Sequence, residues 1–115
     1  MSGKKEYVRK YIAFSNEEWA EVEAYAKSRF FSSESEAVRL LISRGVETLH
    51  QVNVPQYGPL AMQKHLHFSF GQWDTIERYR FDNRIDSSAQ AIRLLVARGL
   101  EIERRIADFV KKIGS

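Results

Sequence analysis

The sequence predicts a mainly α-helical domain built from two tandem strand-helix-helix units, which form an intramolecular pseudo-dimer around a two-stranded antiparallel ribbon. The first observation is that EAVRLLISRGVE, at 36–47, is nearly repeated as QAIRLLVARGLE at 90–101. The second is that a short alternating run and a helix-forming segment precede each copy. The third is that neither half is long enough to bury a stable core alone, so we expect the halves to share one.

The repeat extends well beyond these twelve residues. A shift of 54 positions aligns the two halves without a gap, pairing Trp19 with Trp73 and Tyr25 with Tyr79. Because the identities fall on charged as well as apolar positions, they indicate duplication rather than shared periodicity alone. The predicted organisation is unit 1 at 7–50, a linker rich in turn residues at 51–61, and unit 2 at 62–113.

Each unit begins with a predicted β-strand, YVRKYIAFS or MQKHLHFSF. Apolar residues alternate on the inward side of both strands: Val8, Ile12 and Phe14 in the first, and Met62, Leu66 and Phe68 in the second. The same alternation places Lys10 and Lys64 inward, where an apolar residue is more usual. Since a lone strand leaves its backbone N–H and C=O groups unpaired, we expect the strands to pair with each other.

A first helix follows each strand. Ser15 is the predicted N-cap, and spacings of three and four residues define an apolar face: Trp19, Val22, Tyr25 and Ala26 in unit 1, and Trp73, Ile76 and Tyr79 in unit 2. The turns that follow, SRFFSS and DNRIDS, contain no glycine. Asn83 is the turn residue best suited to a left-handed conformation.

The second helix of each unit starts at a capping box, in which Ser33 precedes Glu36 and Ser87 precedes Gln90. The apolar residues that follow cover more than one side of the helix, so other elements must pack on more than one side. Glycine costs about 1 kcal/mol in a helix relative to alanine. Gly45 and Gly99 therefore indicate a close approach of two backbones, with the second helices crossing beneath the ribbon.

The order strand, helix, S-x-[SA]-[EQ]-A-[VI]-R, helix resembles the ribbon-helix-helix family of DNA-binding proteins, of the Arc and MetJ repressor kind. The resemblance covers both halves, about four fifths of the chain, and SESEAVRLLISRG is its most specific part. Members of that family normally dimerise to make one ribbon, whereas this sequence resembles the less common members that carry both units in one polypeptide. The resemblance implies a ribbon that enters the major groove of DNA.

The outward side of such a ribbon would read the bases. The candidate base-reading residues are Arg9, Tyr11 and Ala13 on the first strand and Gln63, His65 and His67 on the second. Arginine suits guanine, glutamine suits adenine, and neutral histidine offers one donor and one acceptor. The alternative is that these are solvated side chains of an exposed sheet, and a register slip of one residue would reverse the assignment.

Phosphate contacts are expected at the start of the chain and at the N-termini of the second helices, where backbone N–H groups are free. The candidate phosphate-binding residues are Lys4, Lys5, Ser32, Ser33, Ser35, Ser87 and Ser88. As alternatives, the lysines belong to a solvated tail and the serines only cap their helices. Four repeated arginines receive no reading role, because salt bridges to Glu36, Glu47 or Glu101 are expected of them: Arg39, Arg44, Arg93 and Arg98.

Composition narrows the classes of function. A net charge of +3 and an isoelectric point near 9.3 permit binding to nucleic acid. The absence of cysteine excludes disulfides and thiolate metal sites, and three histidines without a phosphate loop or nucleophile elbow disfavour an enzyme. His65 and His67 lack a third metal ligand nearby in sequence, and we expect no cofactor. Without an apolar run of membrane-spanning length, we expect a cytoplasmic, nucleoid-associated protein.

The sequence therefore predicts a sequence-specific protein that binds double-stranded DNA, a transcriptional regulator of prokaryotic or phage origin, with further copies of itself as possible partners on DNA. A plasmid or phage accessory factor for transfer or partition would have the same chemistry. The remaining alternative is an antitoxin-like protein-interaction module. Its sequence signal is the amphipathic tail EIERRIADFVKKIGS, which could dock a partner or extend the last helix over the core.

Overall fold

The computed structural model describes residues 7–48 and 54–114 of the chain. Within these residues the fold is mainly helical, with a two-stranded sheet and four helices. The elements are β1 (Tyr7–Ser15), α1 (Asn16–Ser28), α2 (Glu34–Glu47), β2 (Leu60–Ser69), α3 (Phe70–Asp82) and α4 (Ser88–Ile113). The predicted order of a strand and two helices in each half is confirmed. β2 begins at Leu60, inside the stretch that the sequence assigned to the linker.

β1 and β2 form the predicted antiparallel ribbon. The register opposes Tyr7 to Ser69 and Phe14 to Met62, and it shifts between Phe14 and Ser15. The central inward positions of both strands are buried, as the alternation predicts: Ile12, Phe14, Leu66 and Phe68. One hydrophobic core contains side chains from both halves of the chain.

The two inward-facing lysines are accommodated by tryptophan rings of the other half. Lys10 Nζ lies 5.1 Å from the centroid of the Trp73 ring, and Lys64 Nζ lies 4.8 Å from that of Trp19. Each contact joins a strand to the first helix of the opposite half. Because the aliphatic stem of lysine covers apolar surface while its ammonium lies over a ring face, a charged residue is stable at this position.

The serine caps form as the sequence predicts. Ser15 Oγ accepts a hydrogen bond from the Glu18 amide at 3.0 Å, and Ser33 Oγ accepts one from the Glu36 amide at 3.1 Å. Ser87 caps α4 in the same way, through the amide of Gln90. These bonds fix where α1, α2 and α4 begin.

The expectation of a left-handed residue at Asn83 is wrong by one position. Asn83 has a φ of −104°, whereas Arg84 and Phe30 have φ values of 54° and 58°. The Ile85 amide donates to the Arg80 carbonyl at 2.9 Å, which closes a six-residue turn in which Arg84 follows the helix cap. Asn83 is itself the cap, so the left-handed conformation falls on the next residue.

α2 and α4 cross at the two glycines, as predicted. A Cβ added to Gly45 would contact the backbone oxygen of Leu95, and one added to Gly99 would contact that of Leu41. Positions 45 and 99, like 41 and 95, are 54 residues apart, so the crossing is equivalent in both directions. Only glycine allows backbones to approach this closely.

The repeated arginines have partners that sequence spacing did not reveal. Arg39 Nη1 donates to the His67 carbonyl at 3.1 Å, and Arg93 Nη1 donates to the Ala13 carbonyl at 3.0 Å. These bonds hold the ribbon on α2 and α4. Arg98 bonds carbonyls near the end of α2.

A buried carboxylate joins three of the helices. Glu103, only 6% exposed, lies 2.6 Å from Arg29 and 2.8 Å from Arg44. The expected pair of Arg44 and Glu47 is also present, with a longer separation of 3.8 Å. The network therefore ties α4 to α1 and α2 where α4 leaves the core.

α4 continues beyond the core as a single helix. Glu103 is its last buried residue, and the side chains from 104 to 113 are exposed. Ile106, Phe109, Val110 and Ile113 form an exposed apolar stripe along this extension. The tail thus extends the last helix, but the described residues of the core do not cover its apolar side.

Candidate nucleic-acid interface

The outward side of the ribbon brings all six predicted base-reading residues together. The register places three of them directly opposite the other three: Arg9 faces His67, Tyr11 faces His65, and Ala13 faces Gln63. Four of the six are exposed, whereas Ala13 and His67 are half-buried. The predicted inward and outward sides are therefore correct, without the register slip that would have exchanged them.

Aromatic rings form a continuous surface along this side. The rings of Tyr11 and His65 are stacked, with centroids 4.5 Å apart and planes 14° from parallel. His65 also meets His67 edge to face at 4.9 Å, and His67 lies 6.2 Å from Tyr7. Each ring contact restricts the orientations open to the neighbouring side chain.

Tyr7 belongs to this surface, although the sequence analysis did not select it. It is 57% exposed and lies two residues before Arg9, so the period-two alternation contained the signal. The base-reading set predicted from the sequence begins at Arg9 and therefore does not include Tyr7. With Tyr7 included, the outward residues of β1 run along the whole strand.

A cleft of about 360 Å³ separates one end of the ribbon from the start of α2. Its lining combines two arginines, two serines and two aromatic rings: Arg9, Arg39, Ser33, Ser35, Tyr7 and His67. Arg39 was missed as a site residue because the spacing of a helix does not reveal that it faces a strand from the other half. The cleft offers two guanidinium groups and serine hydroxyls, which are the groups that bind phosphate oxygens.

The opposite end of the ribbon has a different composition. The residues 54 positions from those of the cleft are Ala61, Gln63, Ser87, Ala89 and Arg93, and Ala13 takes the place of His67. One arginine therefore remains, and its Nη1 donates to the Ala13 carbonyl. The two ends have equivalent positions in the backbone, but the cationic and aromatic side chains are concentrated at the end that forms the cleft.

The predicted phosphate-binding serines divide by the partners of their hydroxyls. Ser33 and Ser35 line the cleft. Ser32 donates to Glu36 Oε2 at 3.3 Å, and Ser88 donates to the carboxylate of Glu77. The hydrogen bond from Ser88 is the main cause that lowers the pKa of Glu77.

The other predicted phosphate contacts fall into two groups. Ser87 keeps its capping role at the opposite end of the ribbon, where one arginine remains. Lys4 and Lys5 lie outside the described residues.

Residues 7–48 and 54–114 contain no cluster of three or more histidine, cysteine or acidic side chains placed to hold a metal ion. In the same residues, no helix combines the length and apolar character needed to cross a membrane.

No protein-family model, curated protein or solved structure was found to match this chain.

Proposed function

We propose that this chain is a sequence-specific double-stranded DNA-binding protein of the ribbon-helix-helix type, which inserts its β-ribbon into the major groove. The observation that carries the proposal is the outward side of the ribbon, where three cross-strand pairs hold polar and aromatic side chains together. A two-stranded ribbon fits the major groove, where each base pair presents its own pattern of donors and acceptors. Arg9 would read guanine and Gln63 adenine.

The cleft supports the same proposal from the side of the DNA backbone. A ribbon lying in the groove has phosphates along both edges, and the cleft lies between a ribbon end and α2. Arg39 would serve two purposes there, since it holds the His67 carbonyl and places its charge in the cleft. Such contacts fix the orientation of a protein on the duplex without reading sequence.

Regulation of transcription is the role that we propose for this binding activity. A plasmid or phage accessory factor for transfer or partition would use the same interface, so the chemistry of the ribbon does not separate the two roles. Further copies of the chain on adjacent DNA would extend either kind of site.

The test is selection of bound sequences from a random DNA pool at fixed salt, with the parent chain and Arg9→Ala. We expect the parent to enrich a defined motif, and Arg9→Ala to lose about 1–3 kcal/mol on that motif and to relax one base preference. Arg78→Ala is the matched control, because Arg78 carries the same charge on α3 and is 78% exposed. Failure to enrich any motif, or an unaltered motif in Arg9→Ala, would contradict the proposal.

A second candidate function is a protein-interaction module, and the apolar stripe on the α4 extension favours it. Four of the five charged residues from 104 to 113 are basic. An acidic amphipathic segment of a partner protein would therefore complement both the stripe and its charge, whereas a second copy of the same basic helix would be repelled. Phe109→Asp should abolish binding to such a partner but leave the DNA motif unchanged, which separates the two functions.

A further inference from the structure

A second cavity, of about 220 Å³, lies between residues 54–60, the start of α1 and the first half of α4. Its polar lining consists of Ser15, Glu18, Tyr57 and Arg93, and its apolar lining includes Val54, Leu94 and Ala97. None of these residues is a predicted base-reading residue, and none lines the cleft between the ribbon and the start of α2. The cavity is therefore separate from the proposed DNA interface.

A carboxylate oxygen that lines this cavity lacks a hydrogen-bond partner among the described residues. Glu18 is only 3% exposed, and its Oε2 is unpartnered. Burial, followed by the charges of Glu21 and Glu18 and a hydrogen bond with the Glu21 side chain, raises the pKa of the nearby Tyr57, so its hydroxyl keeps its proton. Because an unsatisfied buried polar atom is costly, Glu18 Oε2 points to a polar group that binds here.

The cavity also presents one group of each charge. Glu18 enters from α1 and Arg93 from α4, and Arg93 uses one of its five N–H donors on the Ala13 carbonyl. A ligand with a single charge would meet a group of like sign on one side. A ligand with both charges would be complementary to both residues.

We propose that this cavity binds a small zwitterion, namely a free α-amino acid with a short aliphatic side chain. Its ammonium group would donate to Glu18 Oε2, and its carboxylate would accept from Arg93 and from the Tyr57 hydroxyl. Val54, Leu94 and Ala97 supply an apolar surface for the side chain. Ligand pockets for drug-sized molecules have volumes of about 300–1,000 Å³, so this smaller cavity selects a small molecule.

The corresponding position in the other half predicts one such site per chain. Gln72 lies 54 residues after Glu18, and its Nε2 donates to the Arg39 carbonyl at 3.0 Å. The second half therefore lacks the carboxylate that an ammonium group requires. It also shows that glutamine is compatible with this position of the fold, which makes Glu18→Gln a conservative test.

Binding should release a proton below neutral pH. Burial raises the pKa of Glu18 to about 7, with Arg93 acting to lower it and Glu21 to raise it. The Tyr57 hydroxyl of the linker also faces this carboxyl group. Because an ammonium ligand requires an ionised carboxylate, binding at about pH 6 should displace the Glu18 proton, whereas binding at about pH 8.5 should not.

The experiment is isothermal titration calorimetry of the full chain with glycine, L-alanine and L-valine, in buffers that differ in their enthalpy of ionisation. Isobutylamine and isovalerate are the matched probes, since they keep the valine side chain but lack its carboxylate or its ammonium group. We expect one site for at least one amino acid, with proton release at about pH 6 only and at least tenfold weaker binding of both probes than of valine. Thermal unfolding in parallel confirms that each variant is folded.

Two variants complete the test. Glu18→Gln should weaken amino-acid binding at least tenfold and abolish proton release, and Tyr57→Phe should weaken binding with the proton release retained. Three results would overturn the proposal: no saturable binding of any of the three amino acids up to about 10 mM, unchanged affinity in Glu18→Gln, or isobutylamine binding as tightly as valine.

Discussion

Three residues of this fold are held in states that lower the free energy of unfolding. Glu18 is a carboxyl group buried without a full set of partners, while Phe30 and Arg84 hold left-handed conformations without glycine. Sequence spacing anticipated Ser15 as a cap, yet it did not indicate that Glu18 would be covered. Residues 54–60 lie beside Glu18, and the path of such a connecting segment depends on contacts that local patterns do not encode.

The buried carboxyl of Glu18 should make stability depend on pH. Its pKa is about 7 in the folded chain and 4.5 when exposed, so only the folded state holds this proton between these values. The contribution to stability is complete below about pH 4.5 and is lost as pH rises to about 7, a decrease of about 3 kcal/mol. Glu77, whose pKa is lowered, acts in the opposite direction and only at lower pH.

Denaturant unfolding across this range, with the parent chain and Glu18→Gln, measures the effect. The variant should lack the decrease, so the difference in unfolding free energy between the two chains should itself change with pH. Parallel curves would show that Glu18 is ionised and solvated in the folded chain.

Relief of the left-handed turn should stabilise the protein. Phe30 is 93% exposed, so Phe30→Gly removes little packing, and it relieves a conformation that costs about 1–2 kcal/mol for a residue with a Cβ. Allowing for the greater freedom of glycine in the unfolded chain, we expect a gain of about 0.5–1 kcal/mol in chemical denaturation. The neighbouring Phe31→Gly is the control and should destabilise, because Phe31 packs on the core and against Tyr25.

At the scale of elements, local patterns predicted most of the fold. Alternation located both strands, serine caps located the starts of three helices, and the two glycines indicated the crossing of α2 and α4. The contacts that fix these elements to one another were not predictable, because they join residues far apart in sequence. Glu103 pairs with Arg29 and Arg44, and the lysines of the ribbon reach tryptophans of the opposite half.

The helix crossing should tolerate no side chain at its centre. Gly99→Ala would place a Cβ against the backbone oxygen of Leu41, which cannot rotate away as a side chain can. We expect this variant to lower the unfolding free energy by about 1–3 kcal/mol or more, despite the better helix propensity of alanine. Gly71→Ala is the matched control, since its Cβ would meet only the Ser69 hydroxyl, 4.0 Å away. The unfolding free energy of this variant should rise by up to about 1 kcal/mol. Equal stability of the two variants would mean that the crossing can widen at no cost.

At the scale of the whole molecule, the two halves make equivalent backbone contacts but present different side chains on the outward side of the ribbon. The bonds from Arg39 and Arg93 to opposite strands are equivalent, and so are the two glycine contacts. The outward triplets have no residue in common, and within the described residues the cleft with two arginines lies at one end of the ribbon. The sequence could predict the differing triplets, but it could not predict the cleft, because that site joins a strand, a helix and a residue of the other half.

This asymmetry predicts that one chain binds a DNA subsite that is not a palindrome. A homodimeric ribbon presents two identical strands and reads a site of matching symmetry, whereas here Arg9, Tyr11 and Ala13 oppose a different triplet. Copying the first triplet onto β2, as Gln63→Arg, His65→Tyr and His67→Ala, should convert the selected motif toward a palindrome. The inward residues are unchanged, so the unfolding free energy should remain within about 1 kcal/mol of the parent. Selection from a random DNA pool with both proteins measures the change. A parent motif already palindromic within the footprint of one chain, or an unchanged motif after the triplet is copied, would show that the two strands do not read DNA independently.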